Sequence, residues 1–252
     1  MNWKINKQFQ DKESELLKII NEFDFSGQNF GNQERNSLKL FEFEGMTVNV
    51  KSFKIPNAIN QVVYRFFRKS KAQRSFEYAN KLQELGIGTP QPIAYFESKT
   101  PLLFKKSYYM SEQLNCEYTY RDLTFDFNIP DYEAILRAFT RFTFTLHENH
   151  VLFLDHSPGN TLISIEDDGF DFFLVDLNRM EFKNLNFNER IKNFARLTTH
   201  KEMVEVMSDE YAKCMNQPYE KVFDLMWQYT NDFQEKYYRK KRWKNRLLFW
   251  RT

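Results

Sequence analysis

The pattern of hydrophobic and polar positions in the first part of the chain predicts one helix followed by two strands. Apolar residues recur on one face over residues 16–23, with Lys and Glu between them, as in an amphipathic helix. Residues 38–43 and 47–53 are rich in apolar and β-branched residues and are separated by a short turn containing Gly45. Lys51 interrupts the second strand and places a cation within an apolar stretch.

The next segment predicts a helix and two more strands. The helix runs from about Ser75 to Leu85 and is ended by Gly86. Strands over residues 93–97 and 107–113 follow, joined through a turn that contains a proline. The first half of the chain is therefore predicted to be rich in strands.

The second half changes to a helical pattern. Apolar residues at helical spacing follow Pro130, which stands near the predicted helix entry, where its missing N–H costs nothing. A hairpin is predicted from residues 161–165 and 170–175, which flank an acidic turn that ends in glycine. Everything from about residue 188 has helical spacing. We therefore predict an α+β protein of two lobes, a strand-rich lobe over residues 1–113 and a mainly helical lobe over residues 114–252.

Composition and charge exclude several classes of protein. With 252 residues, 42% of them apolar and 28% charged, the chain is expected to fold around a large core. A net charge of +2 gives no general reason to expect nucleic-acid binding. The two cysteines have no CxxC spacing, and no stretch has the character of a signal peptide or membrane span, so we expect a cytoplasmic protein.

Three polar side chains around the predicted hairpin form the most informative chemical pattern. Asp155 and Asn160 precede the hairpin, and Asp176 follows it. Because a hairpin reverses the chain, we expect Asp176 to return towards Asn160, with Asp155 beside them. An amide oxygen and a carboxylate are ligands suited to magnesium, and a separate carboxylate can act on an attacking hydroxyl, as phosphoryl transfer requires.

Phosphoryl transfer also needs a cation for the nucleotide phosphates. Lys51 on the early strand can supply it, and Glu77 on the following helix can pair with Lys51. The structural alternatives are that Lys51 extends to solvent from an edge strand and that Glu77 is an ordinary exposed helix residue.

These motifs, in this order, resemble the protein-kinase-like superfamily and, within it, the bacterial lipopolysaccharide kinase family, which phosphorylates Kdo or heptose of the inner core. The resemblance covers nearly the whole chain and is carried by four groups of residues: 48–51, 74–77 with 85–90, 154–160 and 175–179.

The resemblance implies a role for each motif residue, with ATP and Mg²⁺ bound in a cleft between the lobes. Asp155 would be the catalytic base, and Asn160 and Asp176 would hold magnesium. Lys51 would contact the nucleotide phosphates, with Glu77 as its partner. The adenine would meet the connector formed by Glu112, Gln113 and Leu114. The acceptor would be a lipopolysaccharide core sugar or a related glycolipid, at the cytoplasmic face of the inner membrane.

The chain departs from protein kinases in ways that bear on the acceptor. Phe153 and Leu154 precede Asp155 where protein kinases have His and Arg, and no Ala-Pro-Glu sequence follows Asp176. The glycine-rich loop is reduced to Gly27 and Gly31. A small-molecule or glycolipid acceptor therefore fits better than a protein. A pseudokinase that works as a nucleotide-binding scaffold and a phosphotransferase acting on a soluble alcohol are the alternatives.

A basic segment at the end of the chain is a candidate interaction surface. Residues 236–251 contain eight Lys and Arg, no acidic residue and several aromatic residues. This composition is consistent with a solvated helix face, or with a contact to an anionic membrane surface or glycolipid, where each cation contributes about 1 kcal/mol. No nucleic-acid recognition motif accompanies the charge.

Overall fold

The computed structural model describes residues 1–32 and 36–247, which divide into two compact units. The strand-rich unit comprises Met1–Asn115 together with Leu174–Arg179. The helical unit comprises Cys116–Phe173 and the chain from Met180 onwards. The sequence analysis predicted one boundary at residue 113, with each lobe formed by a single continuous stretch of chain. In the structure, the short segment Leu174–Arg179 belongs to the strand-rich unit, although it lies far along the chain.

The strand-rich unit is built on one antiparallel sheet of six strands, in the order β1-β5-β6-β4-β3-β2. The strands are β1 (Asn2–Ile5), β2 (Gln28–Asn29), β3 (Asn36–Phe43), β4 (Met46–Phe53), β5 (Pro92–Lys99) and β6 (Phe104–Glu112). Its helices are α1 (Glu13–Glu22), α2 (Ala58–Phe66) and α3 (Lys71–Glu84). The two helices and the four strands that were predicted in this half correspond to α1, α3 and β3 to β6, and are confirmed.

Alternation of buried and accessible residues explains the central strand β4. Val48, Val50 and Phe53 are buried, and Lys51 between them is half-buried. Lys51 lies opposite Leu38 on β3 and opposite Tyr109 on β6, so it is on an interior strand of the sheet rather than on an edge. The alternative that Lys51 belongs to an edge strand is therefore wrong.

Helix α3 begins earlier than the hydrophobic pattern predicts. Ser70 caps it, since its hydroxyl accepts a hydrogen bond from the backbone N–H of Gln73 at 3.0 Å. The helix ends as predicted before Gly86, whose φ of +70° suits a residue without a side chain. The serine cap was readable in the sequence and would have moved the predicted start from Ser75 to Lys71.

The helical unit packs a set of helices around a core that includes Phe139, Phe194 and Tyr211. Its helices are α4 (Tyr120–Leu123), α5 (Tyr132–Glu148), α6 (Phe187–Lys192), α7 (Lys201–Met215) and α8 (Tyr219–Leu247). Its strands are β7 (Tyr118–Thr119), β8 (Val151–Phe153), β9 (Thr161–Glu166), β10 (Gly169–Leu174) and β11 (Met180–Phe182). The predicted hairpin corresponds to β9 and β10, and β8 pairs with β11.

Two parts of the chain lie outside the described residues. These are residues 33–35, just after Gly31 of the reduced glycine loop, and residues 248–252, which include the end of the basic segment with Arg251. In the described part of the chain, no helix is both long enough and apolar enough to cross a membrane.

Candidate active site

Lys51 and Asp176 form an ion pair within the strand-rich unit. The Lys51 Nζ lies 2.7 Å from the Asp176 Oδ1, although the two residues are 125 positions apart in the chain. Two hydrogen bonds attach the segment that carries Asp176 to this unit: the Leu174 N–H donates to the Gly88 carbonyl, and the Thr89 hydroxyl donates to the Leu174 carbonyl, both at 2.9 Å. The structure thus brings together two of the side chains that the sequence selected.

The backbone at Asp176 adopts a conformation that few side chains favour. Its φ is +57°, in the left-handed region, which Asp and Asn tolerate better than most residues. The Asn178 side-chain amide donates to the same Oδ1 at 2.7 Å. Asp176 is therefore oriented by its backbone and by two donors, as expected for a carboxylate with a positional role.

Further cations surround this ion pair. Burial lowers the pKa of Lys71, Asp176 opposes that effect, and the neighbouring Arg179 and Lys51 reinforce it. The ammonium groups of Lys51 and Lys71 lie 5.4 and 5.9 Å from the centre of the Phe53 ring. Positive charge in this cluster exceeds negative charge, and such a cluster can bind a polyanion. Sequence reasoning missed Lys71, which stands at the start of α3, outside the predicted helix.

The expected pairing of Lys51 with Glu77 is not what the structure contains. Glu77 Oε2 lies 2.7 Å from the Lys69 Nζ, and its Oε1 accepts a hydrogen bond from Gln73 at 3.0 Å. Glu77 also lines an open cavity beside β1, bordered by Trp3. Gln73 is one helical turn away and Lys69 just precedes the helix, so both reach Glu77 locally, while Asp176 takes the ammonium of Lys51.

The connector proposed for the adenine follows β6. The Glu112 N–H donates to the Gln91 carbonyl at 3.0 Å, and the Gln113 N–H donates to the Thr47 carbonyl at 2.9 Å. The Gln113 side chain donates to the Leu114 carbonyl at 2.9 Å. Two backbone donors of the connector are thus used within the protein, which makes the Leu114 N–H the better candidate for a base edge.

In the helical unit, Asp155 follows β8 on a short loop and is held by a basic side chain. The Arg196 Nη1 lies 2.7 Å from the Asp155 Oδ1 and also donates to the Leu154 carbonyl at 3.2 Å. The Asn160 side-chain amide donates to the Asp155 backbone carbonyl at 2.8 Å. Asp155 and Asn160 are therefore brought together, and Asn160 keeps its amide oxygen as the atom able to meet a cation.

Arg196 is a functional candidate that sequence reasoning missed. It lies in the connection between α6 and α7, and its guanidinium lies 5.6 Å from the centre of the Phe233 ring on α8. A cation–π contact of this kind holds the guanidinium while it pairs with Asp155. No local motif marks Arg196, because its partner is 41 residues earlier in the chain.

Two histidines near this loop are structural. His156 is buried beside the rings of Phe139 and Phe153, and burial lowers its pKa to about 3. The His147 ring hydrogen-bonds the Tyr211 hydroxyl at 2.6 Å and the Asn193 side chain at 3.1 Å, and burial lowers its pKa to about 4. Both rings are neutral near pH 7, so neither can serve as a general acid there.

The candidate magnesium ligands have suitable chemistry. Within residues 1–32 and 36–247, no group of three or more His, Cys, Asp or Glu could hold a metal ion. Magnesium at phosphoryl-transfer sites needs only one or two protein oxygens, since phosphates and water complete its octahedron. Asn160 and Asp176 fit that requirement, and the predicted convergence of the two stays a prediction.

Comparison with known proteins identifies the family of this chain. A model of the lipopolysaccharide kinase (Kdo/WaaP) family matches residues 54–219, about two thirds of the chain. The chain belongs to that family. The matched region includes Asp155, Asn160 and Asp176, and family membership identifies the chain as a kinase-type phosphotransferase. No curated protein sequence matches the chain.

Two solved structures are similar to this chain, and the first of them shows the same fold. The structure of WaaP in complex with acyl carrier protein matches with a TM-score of 0.66 and 16% identity, over 93% of this chain and 99% of that one. The MAP kinase LmaMPK10 from Leishmania major matches with a TM-score of 0.47 and 16% identity, over 78% of this chain and 59% of that one. The predicted α+β protein-kinase-like fold and the predicted family are confirmed.

Proposed function

We propose that this protein transfers the γ-phosphoryl group of ATP to a hydroxyl of a lipopolysaccharide inner-core sugar of the Kdo or heptose type. The observation that carries the proposal is the Lys51–Asp176 pair within a cluster of additional cations. Such a cluster fits a triphosphate, which has several negative charges to neutralise. Membership of the lipopolysaccharide kinase family supports the choice of acceptor.

In the proposed reaction each residue has a role that follows from its chemistry. Lys51 and Lys71 bind phosphate oxygens. The acceptor hydroxyl oxygen forms a bond to the γ-phosphorus while the bond to the β–γ bridging oxygen breaks and ADP leaves. Asp155 accepts the proton that the hydroxyl loses, and Arg196 orients the Asp155 carboxylate. The proposal requires Asp155 and Asp176 to act on the same nucleotide.

Magnesium is the proposed metal cofactor, with Asn160 and Asp176 as its protein ligands. When bound, it would neutralise charge on the phosphate groups. The Asp176 carboxylate now accepts hydrogen bonds from Lys51 and Asn178. Its ligand role requires that it share these donors with the metal or exchange them for it. Adenine is proposed to lie against the connector Glu112–Leu114.

The acceptor is amphiphilic, and we propose a membrane contact for the basic end of α8. Lys240, Lys241 and Arg242 are exposed, and Trp243 is 60% exposed among them. Cations beside an aromatic residue suit the anionic surface of a bilayer. The proposed place of reaction is the cytoplasmic face of the inner membrane.

The experiment that tests the function is transfer of labelled phosphate from ATP to purified core lipopolysaccharide. We expect incorporation with the wild-type protein and a loss of about 10² to 10⁴-fold for Asp155→Ala, because the proton acceptor is removed. An Asp126→Ala variant is a control on an exposed residue of the same unit.

The competing functions predict different results in that assay. A pseudokinase would bind nucleotide without incorporation in either protein. A phosphotransferase for soluble alcohols would leave lipopolysaccharide unlabelled while consuming ATP in the presence of a small alcohol. Undiminished incorporation by Asp155→Ala would refute the role given to Asp155.

A further inference from the structure

Helix α2 presents an apolar face to solvent. Ile59 and Phe67 are 78% and 83% exposed, and the neighbouring apolar residues are exposed as well. Spaced by three or four positions, most of them fall on one side of the helix. We call this set the apolar stripe: Ile55, Ile59, Val62, Phe66 and Phe67.

The opposite side of α2 fastens the helix to its own unit. The Tyr64 ring lies 5.8 Å from the Phe104 ring on β6, and the Arg65 Nε donates to the Thr100 carbonyl at 3.0 Å. Asn57 caps the helix start by accepting a hydrogen bond from the Asn60 N–H. Because the inner side is anchored by these contacts, α2 lies along the surface and the apolar stripe faces outwards.

The charged residues in the stretch of sequence that contains α2 are all basic. Residues 45–76 contain seven Lys and Arg and no acidic residue. Two of the guanidinium groups lie over aromatic rings of the helix, Arg65 at 5.0 Å from the centre of Phe66 and Arg68 at 5.8 Å from that of Tyr64. Side chains of this type lay their stems along apolar surface and keep the charge at its border.

From these observations we propose that α2 binds an anionic lipid bilayer, with the apolar stripe inserted among the acyl chains and the surrounding cations at the headgroups. An apolar face bordered by cations is the pattern of helices that lie in a membrane interface. A negatively charged surface complements Lys54 and Arg68, which are exposed just before and just after α2. The inference adds an inserted element to the membrane contact proposed for α8, and it does not depend on that contact or on catalysis.

The test is sedimentation of the full chain with vesicles of phosphatidylglycerol and phosphatidylethanolamine. We expect the wild type to bind and a variant with Ile59→Gln, Phe66→Gln and Phe67→Gln to bind at least about tenfold more weakly, because the variant removes apolar surface that would leave water. Phe25→Gln is the matched control, since Phe25 is 91% exposed but lies beside Asp24. We expect that control to bind as the wild type does.

Further measurements keep the result interpretable. The substituted residues are exposed, so the variants should unfold at the wild-type temperature. Ile59→Phe should strengthen vesicle binding about twofold. Transfer of phosphate to an acceptor dispersed in detergent should be unchanged in the glutamine variant, so a failure of this inference is distinguishable from a failure of the proposed function.

Three outcomes would overturn the proposal. The first is a wild-type protein that does not sediment with the vesicles. That result would indicate that the apolar stripe binds a protein partner and not a bilayer. The second is a glutamine variant that binds as strongly as the wild type. The third is equal weakening in the glutamine variant and in Phe25→Gln.

Discussion

Each unit of the molecule holds one of the two candidate site aspartates against a basic side chain, but the surroundings of these two pairs differ. Asp176 in the strand-rich unit contacts Lys51, and the nearby Lys71 interacts electrostatically with Asp176, Lys51 and Arg179, so the cluster has an excess of positive charge. In the helical unit one guanidinium, that of Arg196, meets the carboxylate of Asp155. An excess of cations prepares a site for a polyanion, whereas a balanced pair fixes the direction of a carboxylate. We therefore propose that the same type of contact serves binding in one unit and orientation in the other.

Among the tests of this comparison, breaking the cationic cluster should have the largest effect. Lys51→Met removes the ammonium on the interior strand, and we expect phosphotransfer to fall about 10² to 10³-fold, as when one charge-stabilising donor is lost from an active site. Lys71→Met should have a smaller effect, mainly a rise of about tenfold in the KM for ATP, because the other cations remain. Steady-state kinetics with varied ATP measures both.

A control variant and a contrary result test this prediction for Lys51. Lys54→Met changes an exposed lysine just beyond the same strand and should leave the kinetics unchanged. If Lys51→Met and Lys54→Met are equally active, the cluster does not bind the nucleotide.

A smaller effect is expected from breaking the Arg196–Asp155 pair in the helical unit. Arg196→Gln removes the ion pair that orients the Asp155 carboxylate, and we expect kcat to fall about 10²-fold, the order of loss when a reacting group is misplaced. The KM for ATP should stay the same, because the nucleotide phosphates are assigned to the other unit. Arg196→Lys should restore part of kcat, since it keeps the charge. A raised KM with an unchanged kcat would show that Arg196 binds substrate instead of orienting Asp155.

The smallest effect is expected from His156, the buried residue next to Asp155, and it concerns the pH dependence of stability. The folded-state pKa of His156, about 3, lies below its usual value near 6.5, so the folded protein resists protonation. The stability that comes from the neutral ring is present above about pH 6.5 and is lost as the pH falls towards 3. Between pH 7 and 5 the loss should be about 2 kcal/mol for one such group.

Replacing His156 isolates the contribution of its ring to the pH dependence of the free energy of unfolding. His156→Leu should flatten the fall in the free energy of unfolding between pH 7 and 5, measured by urea titration at each pH. His147, whose pKa of about 4 is also low, should account for part of the slope that remains. An identical slope in the wild type and the variant would mean that the His156 ring is not buried as a neutral group.

The fold was largely readable from the sequence because its strands alternate and its turns carry glycine. β3, β4 and the hairpin of β9 and β10 lie close to their predicted positions. Helix α2 was missed although its apolar spacing was visible, because those residues face solvent and no core residue marks the helix. The edge strand β1 has four residues and one buried side chain, which is too little to produce a pattern.

Candidate site residues could be selected from the sequence where a local motif carries them. Lys51, Asp155, Asn160 and Asp176 stand in short motifs of recognisable spacing. The Lys51–Asp176 contact was not predicted, because Glu77 was expected as the partner of Lys51. Partners from elsewhere in the chain were not predictable. Arg196 contacts Asp155 only through the tertiary structure. Lys51 pairs with Asp176 and not with the expected Glu77, because the fold places the Asp176 carboxylate next to the Lys51 ammonium while Glu77 pairs with Lys69.

Nucleotide binding by the Lys51–Asp176 cluster is the claim on which the account depends, and thermal unfolding with and without magnesium and ATP tests it most directly. At ATP about a hundredfold above its Kd, the wild type should unfold about 5 to 10 °C higher, while Lys51→Met and Asp176→Asn should show little or no shift. A wild-type unfolding temperature that magnesium and ATP leave unchanged, or an equal shift in all three proteins, would contradict the account.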